Sequence, residues 1–480
     1  MRRRGLALVI AVVTMAAAVL IVFIFLTGKS RPPLPEDQHA GRLEKLRSVP
    51  YTAMTDYEAD PAESGVRVFK PEKTYQGYNI YCSRVAPDVY LTAMDGSVVH
   101  TWSYPVGAIW VWDHATMQEN GDVIVINKFK ELLRLTWASE LVWRRRMDVH
   151  HDIAVLPDGT FYAIIRGAEL HRGLAVRFPS IVHFSPDGEE LARWYAYEHL
   201  DEIRESFDLR SFLDTILDSM LAEGTPARAA ETIPGRLEAS VLSDGRVLYD
   251  YFHLNTLTIL PGTPLGERDT RFRAGNLLIC FRNVNQIAIL DRDTWEILWA
   301  WGEGNLEWPH HPTMVPNGNI LVFDNGVLRK FSRVLEVNPA TGDVEWEYVA
   351  DPPESFYTYE KGSAQRLPNG NTLICDGDNG RAFEVTRKGE TVWEWLNPEI
   401  RKGHRVQIYR MMRLPPGLVE PFLSQATSDV RNRPPLQTLL GFRCTETDGS
   451  GVPEAAYGLP VQRAALSLQG SIYFDFLPLR

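Results

Sequence analysis

The chain has 480 residues, 45% of them hydrophobic and 11% aromatic, with 13 Trp and only 23% charged, which excludes a disordered chain. Its 35 Gly and 31 Pro suit a turn-rich β protein. Lys and Arg number 50 against 61 Asp and Glu, and the net charge of −11 disfavours nucleic acid as a general partner.

Arg2-Arg3-Arg4 precedes an uncharged stretch, residues 5–27, dominated by Leu, Val, Ile, Ala and Phe and long enough to span the hydrocarbon core as a helix. A basic head stays on the cytoplasmic side. Residues 1–28 therefore read as a single-pass transmembrane signal anchor, with the remainder on the periplasmic or extracellular side. A cleaved secretory signal peptide competes with this reading. The apolar run is long for one, however, and residues 26–30 offer no small-x-small cleavage site. Residues 29–75, with three prolines between 31 and 40, read as linker and lead-in. Cys82, Cys280, Cys375 and Cys444 are few for an exported chain, and no pair has a spacing that predicts a disulfide. Cys280 and Cys375 hold matching Leu-Ile-Cys positions, as buried strand residues would.

From residue 76 one unit recurs. A polar head and an alternating strand lead through a tight turn into an apolar returning strand. The heads are Asp113-His114, His150-His151-Asp152 before Pro157-Asp158-Gly159, His253-Leu254-Asn255 before Leu260-Pro261, His310-His311 before Pro316-Asn317-Gly318, and Gly362-Ser363 before Pro368-Asn369-Gly370. A second hairpin follows, as in residues 286–291 turning into 296–301. Four short antiparallel strands per repeat make a propeller blade. A sixth unit has to be split: the outer hairpin at 89–102 lacks a head, and the head-like strand at 409–415 lacks an outer hairpin. Joining them would close the ring and remove its exposed edges. The expectation is an all-β, six-bladed β-propeller over 76–414. It carries a small helical insertion at about 198–226, where Ile203, Phe207, Phe212, Leu213, Ile216 and Leu217 fall mostly three or four apart. Residues 415–480 have no blade signature and stay unassigned.

Blade starts in a closed array converge on its axis, so the heads would bring together His114, His150 or His151, His253, Asn255, His310 or His311, and Ser363. A lone histidine at a strand start is usually satisfied locally, whereas several at equivalent positions suggest a site. His151 and His310 stand equally far from Gly159 and Gly318, which pairs them. A bulge of one residue would favour His311 instead, because side chains alternate faces. No His-x-x-x-His or Cys-x-x-Cys pair points to zinc, although ligands from separate blades would need no such spacing. Arg282, directly after an inner strand, could reach the same centre and bind a tetrahedral oxyanion through paired hydrogen bonds. Asp324-Asn325-Gly326 and residues 376–381 hold equivalent positions and read mostly as turns, with Arg381 a weaker anion contact.

The runs His253-Leu254-Asn255, Arg282-Asn283, His310-His311 with the strand that follows to Gly326, and Gly362-Ser363 with the strands that follow to Asp376 resemble the bacterial arylsulfotransferase family. The likeness covers roughly residues 76–414. It implies a six-bladed propeller that moves a sulfuryl group from an aryl sulfate donor to a phenolic acceptor through a sulfohistidine, without nucleotide, metal or other cofactor. It implies His310 or His311 as nucleophile, with His253 and Arg282 as catalytic partners, and His151, Asn255 and Ser363 as substrate-binding residues; His114 matches no role. The anchor, the insertion between Glu198 and Tyr249, the lack of a clear cysteine pair and the tail depart from the family pattern. Two other classes stay open: a membrane-tethered propeller that binds protein or glycan without catalysis, and a quinone-cofactor or metal oxidoreductase.

Overall fold

The computed structural model describes residues 53–106, 112–207, 238–241 and 247–432. The expected anchor at 1–28, the start of the lead-in, residues 208–226 of the expected insertion and the tail beyond 432 lie outside the described residues. Among the described residues the chain is all-β with few helices, and no helix is long and apolar enough to cross a membrane.

Antiparallel meanders follow one another along the chain. In the second sheet Trp112–Met117, Val123–Asn127, Glu131–Leu135 and Leu141–Arg146 lie side by side in sequence order. The same order recurs in a third sheet (149–195), a fourth (254–301), a fifth (309–348) and a sixth (363–396). The turn glycines Gly121, Gly159, Gly318 and Gly370 take φ of 83°, 82°, 90° and 86°, which a Cβ would resist. The first sheet is built from both ends of the repeat region. Met411–Leu414 pairs antiparallel with Tyr78–Cys82, Ile80 opposite Met412, ahead of Asp88–Thr92 and Val98–Ser103. The head-like strand at 409–415 thus shares one sheet with the hairpin at 89–102, as its pattern predicts, with Tyr78–Cys82 between them.

Several second strands are apolar up to a terminal Asn or Asp because both faces are covered. Val123–Asn127, Leu277–Phe281 and Ile320–Asp324 are buried throughout, whereas the outer strand Leu141–Arg146 is mostly exposed. Alternate residues serve different neighbours. Val123 and Val125 join the core shared with the first sheet, and Ile124 and Ile126 join the one shared with the third. Each fully buried aliphatic side chain contributes roughly 1.5–3 kcal/mol, so these cores dominate the stability. Among the described residues six such cores lie between neighbouring sheets, and the one holding Cys375, Trp393 and Met411 joins the sixth sheet to the first.

The described part of the lead-in is built into the fold. Met54–Glu58 pairs with His404–Val406, and Gly65–Phe69 extends the outer edge of the sixth sheet along Thr391–Leu396. Around the expected insertion, helix α1 (Leu200–Ser206) buries Ile203 between the third and fourth sheets. Glu238–Val241 and Val247–Asp250 add two strands to the third sheet, the latter parallel to the long strand Leu174–Phe184. Within the tail, Pro416 opens helix α2 (Pro416–Asn432), a position where its missing N–H costs nothing. Val419 of α2 is buried in the core between the first and second sheets, and Phe422 stacks on Trp137.

A buried ion pair fastens the junction of the first and sixth sheets. Arg413 Nε donates to Asn79 Oδ1 at 2.6 Å and Nη1 to Glu384 Oε2 at 3.1 Å, with both charged side chains 0% exposed. Removing one partner of such a pair strands the other's charge. Arg413→Leu should destabilise the protein by about 3–5 kcal/mol in urea unfolding; a change below about 1 kcal/mol would refute the role assigned to this pair.

Candidate active site

The first strands of the second to fifth sheets lose register near their starts, between Trp112 and His114, Val149 and Ile153, Leu254 and Thr256, and His310 and Thr313. At two of these bulges, and immediately before a third, a histidine has left-handed backbone: His151 at φ 64°, His311 at 46° and His253 at 47°. Such conformations cost of order 1–3 kcal/mol for a residue with a Cβ, and bulges re-aim side chains. The two-residue alternation of a regular strand therefore does not decide which histidine of a doublet points where.

His151 and His253 meet. Their Nε2 atoms are 3.1 Å apart, His253 Nδ1 lies 2.9 Å from Asp250 Oδ2, and His151 Nδ1 lies 3.0 Å from the Tyr409 hydroxyl. Burial works to raise the pKa of Asp250, but His253, Arg177 and Arg282 beside it hold it below the usual carboxylate range. Burial, with His150, Lys128, His253 and Arg282 close by, keeps His151 neutral. His150 packs edge-on against His151 at 4.5 Å, and neither of its ring nitrogens has a hydrogen-bond partner among the described residues. It lines a narrow cavity with Arg166, Arg177, Asp250 and His253. A more open groove, lined by Glu72, Lys73, Asn369 and Asn371 at the turn end of the sixth sheet's first strand, carries none of these groups.

His310 has one committed nitrogen and one bare one. Its Nδ1 lies 2.7 Å from Asn325 Oδ1 and 3.1 Å from the Trp308 carbonyl, two acceptors, so it carries the proton. The Asn325 amide is oriented by Nδ2, which donates to the carbonyls of Thr358 and Lys361 at 2.8 and 2.7 Å. His310 Nε2 is then a lone pair, buried and without a partner among the described residues. Burial, reinforced by Arg282, pushes the His310 pKa down to about 3. His311 is anchored differently: its N–H donates to Thr256 Oγ1 at 2.9 Å, and its Nδ1 lies 3.0 Å from the Ala364 carbonyl.

Arg282 opens the short 3-10 turn Arg282–Val284 that ends the fourth sheet's second strand. Its guanidinium lies 4.2 Å above the Trp308 ring, and its Nε donates to Asn283 Oδ1 at 3.0 Å. Asn255 bridges sheets: Nδ2 donates to the Pro309 carbonyl at 2.9 Å, and Oδ1 accepts from the Thr256 hydroxyl at 3.0 Å. Ser363 is buried opposite Cys375, whose thiol shares a hydrogen bond with it. Arg381 turns away to Glu394 Oε1 at 2.6 Å. His114 stands 3.6 Å from Asp152, which accepts both ends of the Arg410 guanidinium at 2.8 and 3.0 Å. Burial and Arg410 push the His114 pKa down to about 4. Cys82, Cys280 and Cys375 are free and buried; Cys444 lies outside the described residues.

Five contributors escaped the sequence reading: Asp250, Asn325, Trp308, Tyr409 and Arg410. Asn325 sits in an Asp-Asn-Gly run that reads as a turn, and Asp250 directly follows the insertion, three residues before His253. Tyr409 and Arg410 precede the closing strand, whose recognition as a blade head was the available signal.

The family model described as Arylsulfotransferase (ASST) matches residues 114–398, more than half of the chain. The chain belongs to the arylsulfotransferase family. The matched region of this family member includes His151, His253, Arg282 and His310 and stops short of Tyr409 and Arg410. Family membership supports sulfotransferase activity in general. No curated protein matches the chain. Among solved structures it is similar to a protein of unknown function from Bacteroides caccae, at 12% identity and a TM-score of 0.43 over 69% of this chain and 97% of that one. It is also similar to virginiamycin B lyase from Staphylococcus aureus, at 10% identity and a TM-score of 0.38 over 71% and 87%. The Dos1 propeller gives 10% and 0.35 over 71% and 78%.

Histidines held neutral inside the fold make stability depend on pH. For His310 and His114 the folded pKa values, about 3 and about 4, lie below the value near 6.5 of the unfolded chain. The unfolded state therefore binds more protons as pH falls from 6.5 toward those values, and stability is lost over that window. At pH 5 each histidine should cost about 2 kcal/mol relative to pH 7. Urea midpoints measured from pH 7 to 5 should fall, and less steeply in His310→Gln; a flat wild-type profile would contradict the buried neutral state.

Proposed function

We propose that this chain is a nucleotide-independent arylsulfotransferase in which His310 carries the sulfuryl group between an aryl sulfate donor and a phenolic acceptor. The observation that carries this reading is the bare His310 Nε2, a buried lone pair whose tautomer is set by Asn325 at 2.7 Å, beside the Arg282 guanidinium. A neutral imidazole is the nucleophilic form, and burial keeps it neutral at ordinary pH. Nε2 attacks sulfur, the bond from sulfur to the aryl oxygen breaks as the S–N bond forms, and the aryl oxide leaves with a proton. The acceptor phenol then gives up its proton, and its oxygen takes the sulfuryl group from Nε2 by the reverse steps. This is a ping-pong cycle.

Arg282 is suited to the negative charge on the sulfuryl oxygens, and its stacking on Trp308 holds the guanidinium in place. His151 and His253 are the candidates for exchanging protons with the aryl oxygens. Asn255 and Ser363 shape the site through the strands they fasten. The six cores between neighbouring sheets, the last of them joining sixth to first, support a closed six-bladed propeller whose strand starts face one centre. The basic and apolar N-terminal run supports an anchored enzyme working on the periplasmic or extracellular side.

Purified protein incubated with 4-nitrophenyl sulfate alone should yield a sulfated peptide containing His310, detected by mass spectrometry. His310→Ala should abolish both this adduct and transfer to phenol, while His311→Ala should retain the adduct. Arg282→Ala should lower kcat by about 10²–10³-fold, the usual loss for a removed oxyanion donor. Full transfer by His310→Ala would overturn the assignment.

A further inference from the structure

The four groups Asp250, His253, His151 and Tyr409 form one hydrogen-bonded chain, with successive separations of 2.9, 3.1 and 3.0 Å. Its ends dictate the tautomers of its middle. An ionised carboxylate only accepts, so His253 carries its proton on Nδ1. In a neutral ring that leaves His253 Nε2 as an acceptor, and His151 must donate to it from its own Nε2. His151 Nδ1 is then the acceptor of the Tyr409 O–H. Asp250 thus fixes His253, and Tyr409 satisfies the nitrogen that this order leaves bare on His151.

One further proton reverses part of the chain. With both nitrogens of His253 protonated, His151 accepts at Nε2 and donates from Nδ1 to the Tyr409 oxygen. The Tyr409 hydroxyl then turns to the Asn255 carbonyl, 3.4 Å away. A hydroxyl serves both states because it donates and accepts; a phenyl ring serves neither. The charge of the protonated pair faces the Asp250 carboxylate. Tyr409 itself stays protonated, since burial raises its pKa well above the usual phenol value.

We propose that Asp250 and Tyr409 are positioning residues that act through His253 and His151 to hold, at the contact between the two Nε2 atoms, the proton exchanged with the aryl oxygens. The proposal rests on the sulfuryl-transfer reading. In the first half-reaction the protonated pair gives this proton to the departing aryl oxide, which leaves as a neutral phenol, and two neutral imidazoles remain. In the second half-reaction the acceptor phenol returns a proton to the pair as its oxygen bonds to sulfur. Protons and charge balance over the cycle, and Asp250 remains ionised throughout.

A positioning role predicts a loss that depends on the leaving group. Protonation matters little for 4-nitrophenolate and much for a basic phenolate. Asp250→Asn and Tyr409→Phe should therefore leave turnover of 4-nitrophenyl sulfate within a few-fold of wild type and lower that of phenyl sulfate by about 10²-fold, with KM little changed. Asp250→Glu should restore part of the loss. An equal loss on both donors in both variants would overturn the proposal by showing a merely structural role. Imidazole ¹⁵N shifts of the substrate-free protein test the chain independently of activity. Nδ1–H on His253 with Nε2–H on His151 is expected in the neutral wild type, and that order should be lost in Asp250→Asn. If the wild type shows this order but transfers no sulfuryl group, the transfer reading fails while the tautomer chain stands. A wild type with Nδ1 of His253 unprotonated overturns the proposal outright.

Discussion

The pairing of Met411–Leu414 with Tyr78–Cys82 is the constraint on which the rest depends, because it fastens residues more than 300 positions apart into one sheet. Without it the first sheet would lack its inner strand, and the core between the sixth and first sheets would lose Met411. Its reach extends to the chemistry. Tyr409 and Arg410, just ahead of this strand, touch His151 and Asp152 of the third sheet, so the segment that supplies the first sheet's strand also supplies two side chains to the candidate site.

Burial does the electrostatic work at the centre. Asp113 pairs with Arg84 and with Lys128 at 2.8 Å, Asp152 with Arg410, and Lys361 with Asp378 at 2.7 Å, all largely buried. Isolated charges there would be far too costly, so these lining charges come with partners. The histidines are treated differently: burial and nearby cations keep His150, His151, His310 and His311 neutral. Paired charges beside neutral imidazoles keep lone pairs available on the rings at ordinary pH.

The hairpins were legible in the sequence because their cause is local. Period-two alternation and Pro-Asn-Gly turns are physical requirements of the strands and turns themselves. The split sheet was legible for the same reason, since its two halves each lacked what the other supplied. The choice within His310-His311 was not, because both bulged backbone and the Asn325 partner enter only in three dimensions. Asn325 was masked by its company: an Asp-Asn-Gly run satisfies turn chemistry whether or not its amide also holds a histidine. Asp250 was obscured because it follows an insertion whose edge strands the repeat pattern does not encode.

The irregularities share one logic. Left-handed backbone at His151, His253 and His311, and, among the described residues, a bare Nε2 on His310 and two unpartnered nitrogens on His150 each lower stability, by about 1–3 kcal/mol apiece. None is forced by the sheets, since the same first strands run regularly a few residues later, where Ala154 and Val155 face Tyr162 and Phe161. Such costs persist only where the surrounding packing over-determines the conformation, and cores on both faces of inner strands, such as those reached by Ile153 and Ala154, do so here. The rigid, apolar sheets are therefore what allow strained and under-bonded histidines, and they hold the His310 Nε2 lone pair in one orientation.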